Sequence, residues 1–108
     1  MVQPATWNLP PTVRLTQPAD GAVFHPGDGI AAFAQASDRG GKVSNVEFHL
    51  RDADLFVAPD RVVGTVQEAP YTLQLAALPP GHYALTAVAR DDRGATSQSM
   101  PVHFEVRH

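Results

Sequence analysis

Apolar and polar residues alternate along this chain in short runs, each closed by Gly, Pro or Asp. Val13 and Leu15 flank Arg14, and Ile30, Ala32, Ala34 and Ala36 interleave with Ala31, Phe33 and Gln35. Val46, Phe48 and Leu50 alternate with Glu47, His49 and Arg51, as Tyr71, Leu73 and Leu75 do with Thr72 and Gln74. Towards the end, Met100, Val102, Phe104 and Val106 form an inward set, with His103, Glu105 and Arg107 outward. Period two marks a strand with one buried face, and nowhere does a 3.6-residue period persist. Ala22-Val23-Phe24 and Val62-Val63 read as shorter extended pieces. The pattern predicts an all-β chain.

The punctuation has a mechanism. In Pro18-Ala19-Asp20-Gly21 the proline fixes φ early and the glycine admits positive φ late. Asp38-Arg39-Gly40-Gly41 and Asp91-Asp92-Arg93-Gly94 turn the chain in the same way. The small inward set Ala32, Ala34 and Ala36 lets two sheets approach and leaves room for Phe48 and Tyr83. The stretch from Leu78 to Gly94 organises the rest. Pro79, Pro80 and Gly81 force an abrupt crossing between sheets, after which Tyr83, Leu85, Ala87 and Ala89 line one face. A buried Tyr83 needs a partner for its hydroxyl, and a backbone group just upstream supplies it, forming a structural tyrosine corner. Together these runs predict an immunoglobulin-like Greek-key β-sandwich of seven or eight antiparallel strands. Residues 1–11, with Pro4, Pro10 and Pro11, read as a linker, and residues 12–108 as the sandwich.

Composition narrows the partners. The 108 residues make about one domain, enough to bury roughly 65% of the unfolded surface. Seven arginines and one lysine are scattered against eleven acidic residues, a net charge of −3, so no basic stripe favours nucleic acid or an anionic membrane. The apolar runs are far too short to span a bilayer. Met1 is not followed by a basic segment and an apolar core, so no secretion signal is expected within the chain. There is no cysteine, which excludes a disulfide, a thiolate metal site and a cysteine nucleophile.

In order and spacing, the segments resemble the bacterial immunoglobulin-like domains of secreted and surface multidomain proteins. The matching pieces are Pro11-Thr12-Val13, Pro18-Ala19-Asp20-Gly21, Ala34 to Asp38, Val43 to Phe48, Gly64-Thr65, Ala69-Pro70-Tyr71, Pro80 to Ala89, and Asp91 to Ala95. Most are core and turn positions, so they specify fold rather than activity. Two departures stand out: Asp52 to Arg61 lengthens a usually short turn, and Gly40 replaces the second carboxylate of an Asp-x-Asp-Gly turn. Where disulfide-bearing relatives carry a cysteine two residues after the tyrosine, Leu85 stands instead. The resemblance implies a non-catalytic spacer or accessory module of a larger extracellular or cell-surface bacterial protein, such as a polysaccharide-degrading enzyme or an adhesin. Its partners are then neighbouring domains of the same polypeptide, with polysaccharide or a cell-surface protein as further candidates.

Candidate chemistry is sparse. No serine stands in a Gly-x-Ser-x-Gly elbow, and the acidic residues fall mostly in turns, where Asp satisfies backbone amides. An enzyme is not expected. Asp38, Asp91 and Asp92 should meet at one end of the sandwich, where hard oxygens would suit calcium; solvated turn chemistry is the competing expectation. Trp7, Phe33 and Phe56 are the candidate contacts for a ligand or partner, and a weak carbohydrate-binding module is the alternative function. Leu55-Phe56-Val57 is expected either to bury against Val23 and Phe24 or to form an exposed docking patch.

Overall fold

The expected alternation builds nine strands within residues 10–54 and 60–108, the residues described by the computed structural model. They are β1 (Thr12–Gln17), β2 (Ala22–Phe24), β3 (Ile30–Ser37), β4 (Val43–Asp52), β5 (Arg61–Val66), β6 (Tyr71–Leu75), β7 (Gly81–Asp91), β8 (Thr96–Gln98) and β9 (Val102–Val106). No helix occurs among the described residues. One sheet runs β1-β3-β6; the other runs β2-β9-β7-β4-β5, with β8 also paired to β7. The two-sheet immunoglobulin-like sandwich stands as expected, without a disulfide.

Two details of pairing differ from the expectation of seven or eight antiparallel strands. First, the opening strand is shared between sheets. β1 pairs antiparallel with β3, the chain breaks at buried Pro18, and β2 then pairs parallel with β9. Pro18 has no N–H to give to a ladder, so the strand ends there and restarts on the opposite sheet. The Gly21 amide donates to the His103 carbonyl at 2.6 Å and the His103 amide to Asp20 Oδ1 at 2.8 Å, clipping the crossing to β9.

Second, the last strand is broken in two. β8 pairs with the upper half of β7 and β9 with the lower half. At the break Ser99 turns inward: its amide donates to the Ala87 carbonyl at 2.8 Å and its Oγ accepts the Ala87 amide at 2.9 Å. This resets the phase, so Met100 is not inward but 82% exposed. Val102, Phe104 and Val106 keep their expected burial.

The core lies between the sheets. Ile30, Ala32 and Ala34 from the small sheet join Phe48, Leu50, Tyr83, Leu85, Ala87 and Phe104 in one buried cluster. Close approach is required at Gly64 on β5, where a Cβ would sit 2.6 Å from Leu73 Cδ2 on β6. β1 starts level with the β3–β4 turn and the end of β7, while β9 finishes level with the start of β7. The entering and leaving strands therefore lie at opposite ends of the sandwich.

Candidate functional site

At the lower end, Tyr83 is buried and its hydroxyl donates to the Pro79 carbonyl at 2.6 Å. Its ring stacks on Phe104, with centroids 5.5 Å apart, and Phe24 meets the other aromatic edge-on at 5.8 Å. Burial, reinforced by the Asp52 charge, raises the Tyr83 pKa above 10.0. The abrupt Leu78–Gly81 crossing is thereby locked to β7 through a neutral phenol.

At the upper end, Asp91 is the organiser. It is 2% exposed, yet its Oδ1 accepts the amides of Arg93 at 2.9 Å and Ala95 at 2.8 Å, which holds the turn around Gly94 (φ 93°). Burial works to raise its pKa, but these amides outweigh it and hold the carboxylate below 3.8. Asp38 lies beside it, its Oδ1 accepting the Gly40 amide at 3.0 Å and its Oδ2 buried with no hydrogen-bond partner. Asp92 instead packs against Gly41 and donates its amide to the Lys42 carbonyl at 3.0 Å. Asp38 and Asp91 are brought together, while Asp92 serves the neighbouring turn. Among the described residues, no three His, Asp or Glu side chains converge to hold a metal ion.

A larger polar assembly covers the lower outer face of the six-stranded sheet. His82 on β7 stands opposite Glu105 on β9. Asp54 accepts the His82 amide at 3.0 Å and its ring Nδ1 at 2.8 Å, while the Ala53 amide donates to the His82 carbonyl at 2.8 Å. The other ring nitrogen is 3.8 Å from Glu105 Oε1. Arg107 holds Glu105 with two bonds, Nε to Oε2 at 3.1 Å and Nη2 to Oε1 at 3.0 Å. Beside them lies a shallow groove of about 240 Å³ lined by Gly21, Ala22, His82, His103 and Phe104. His82 is the second residue of β7, directly after the Pro79-Pro80-Gly81 turn. Only the β4–β7 register brings Asp54 across to it, and no local motif announces that pairing.

The carboxylates of this assembly set an acid limit. The His82 N–H groups hold Asp54 below 3.8, and the Arg107 hydrogen bonds hold Glu105 below 4.5. Depressed folded pKa values contribute stability that is present above the unfolded values and lost as pH falls through the folded ones. The melting temperature should therefore hold near neutral pH and fall below about pH 4. Asp54→Asn should start lower and fall less; parallel curves for the two proteins would remove Asp54 from the account.

The three-stranded sheet presents a different surface. Arg14 and Thr16 on β1, Phe33 and Gln35 on β3, and Thr72 and Gln74 on β6 face outward. Phe33 is half-buried but is not among the residues packed against the core, and it pairs in register with Gln17 and Thr72. Arg14 Nε donates to Gln35 Oε1 at 3.3 Å, and Thr16 Oγ1 to the Phe33 carbonyl at 3.2 Å. Trp7 and Phe56, the other candidate contacts, lie outside the described residues, as does the rest of Leu55-Phe56-Val57.

Comparison with known proteins agrees with this geometry. The sequence profile described as bacterial Ig domain matches residues 11–87. Among solved structures, the chain is similar to the Clostridium thermocellum CbhA fibronectin(III)-like modules, at 27% identity and a TM-score of 0.74. That match covers 89% of this chain and 96% of the other. No curated protein matches the chain.

Proposed function

The chain belongs to the bacterial Ig domain family, and from that premise we propose that it is a non-catalytic spacer within a larger extracellular bacterial protein. The observation that carries this reading is the placement of its ends. β1 enters beside the Asp91 turn and β9 leaves beside Gly81. Flanking segments are thus held apart by the length of β7, whose 11 residues span roughly 36 Å. Residues 1–11 act as the joint to a preceding domain, and the neighbouring domains are the partners. Similarity to one of the Clostridium thermocellum CbhA fibronectin(III)-like modules supports a place in a multidomain chain.

A spacer needs a body that does not collapse, and this one is closed at both ends. The Tyr83–Pro79 bond and the Asp91 turn each fasten a connection to β7. The chain has no cysteine, so Thr12→Cys and His108→Cys give two unique labelling sites. Set between two folded reporter domains, the doubly labelled chain should show a narrow distance distribution centred near roughly 35 Å. A Gly/Ser linker of the same length would give a broad one near roughly 55 Å. A distribution as broad as the linker's would end the spacer reading.

A further inference from the structure

We propose that the outer face of the β1-β3-β6 sheet is a docking surface for an uncharged, extended polysaccharide chain. The inference goes beyond the spacer reading and does not depend on it. It starts from a contrast between the two outer faces. The six-stranded sheet presents Glu47, His49, Arg51, His82, Glu105 and Arg107, much of it tied into ion pairs. The three strands of the smaller sheet present amides, hydroxyls and one aromatic ring, and the only charged residue in those strands, Arg14, is already bonded to Gln35.

Each part of that face has a counterpart in a neutral glycan. Among the described residues, Gln74 and Thr72 make no side-chain hydrogen bond, and both are exposed, so they offer donors and acceptors to sugar hydroxyls, which need both. The Gln35 NH2 group is likewise left over after its oxygen accepts Arg14. Phe33, on the central strand and outside the core cluster, offers an apolar plate to the C–H face of a pyranose ring. No buried charge has to be stripped of water when such a ligand settles, which an acidic glycan or a phosphate would require.

Size argues against a protein occupant. Three strands cover roughly 10 Å across and roughly 20 Å along, an area of a few hundred Å². A stable protein interface needs about 800 Å² on each side and more than one aromatic anchor. A single plate and a few amides give weak binding per module, which gains through neighbouring modules on one strand of polymer.

The test is depletion of the protein from solution by microcrystalline cellulose, chitin and xylan, with polygalacturonate as the charged control. Retention by at least one neutral polymer and not by polygalacturonate is expected. Phe33→Ala and Gln74→Ala should each weaken it about tenfold, or about 1.4 kcal/mol, while His103→Ala on the opposite sheet should leave it unchanged. Melting curves on the variants separate lost binding from lost fold, and Gln74 is an exposed residue of β6. Retention by none of the three polymers, or equal retention by Phe33→Ala and Gln74→Ala, would overturn the proposal. So would self-association in sedimentation that Phe33→Ala abolishes, because the face would then be closed by a second copy.

Discussion

Replacing Phe48 by alanine should lower the unfolding free energy by about 3–5 kcal/mol. The ring is 0% exposed, at the middle of β4. Its register partners are Gly64 on β5 and Ala87 on β7, the smallest side chains available. The facing sheet contributes Ala32 and Ala34, equally small. The glycine and alanines beside the ring have no side chain long enough to fill the space it leaves, so a large cost is expected. A domain of this size has about 5–15 kcal/mol in all, so the variant should unfold at much lower urea. Its m value should be unchanged if the sandwich survives as one cooperative unit. Phe48→Leu, which refills most of the volume, should recover more than half the loss. A loss below about 1.5 kcal/mol for Phe48→Ala would mean that the small residues around the ring are not what fixes it there.

That arrangement explains why so much of the fold was legible in the sequence. Strands buried on one face repeat with period two, so Val46-Phe48-Leu50 and Tyr83-Leu85-Ala87-Ala89 announce both their extent and their inward side. Period reading fails where a polar group replaces a ladder bond. Ser99 is buried because its hydroxyl takes the Ala87 amide, which shifts the phase and turns Met100 to solvent. A serine looks like an outward residue in sequence, and its partner lies twelve residues away. The β2–β9 pair was illegible for a related reason: parallel pairing of the second strand with the last leaves no local trace. The candidate sites divide along the same line. The outward position of Phe33 follows from periodicity alone. Asp91 reads as one turn aspartate among eight aspartates until its burial and its amide partners are seen.

Tyr83→Phe should cost about 1–3 kcal/mol and, more tellingly, should flatten the alkaline limb of the stability curve. Phenylalanine keeps the ring and its stacking on Phe104 but removes the one donor to the Pro79 carbonyl. That carbonyl sits at the crossing between sheets, so the loss should fall on the anchoring of residues 78–81 rather than on the core. The pH dependence separates the hydroxyl from mere packing. Burial raises the Tyr83 pKa above 10.0, so the folded state holds its proton where the unfolded chain has released it. Stability from this group is therefore whole below pH 10, and it declines as pH rises through the folded value. Wild type should lose stability across that window in urea unfolding followed by fluorescence or circular dichroism. The phenylalanine variant, with nothing to ionise at this position, should lose less over the same interval. If both proteins declined equally, the alkaline limb would belong to other groups, and the hydroxyl would count only as a neutral hydrogen bond. If Tyr83→Phe were as stable as wild type at neutral pH, the crossing would be held by its prolines and not by the corner.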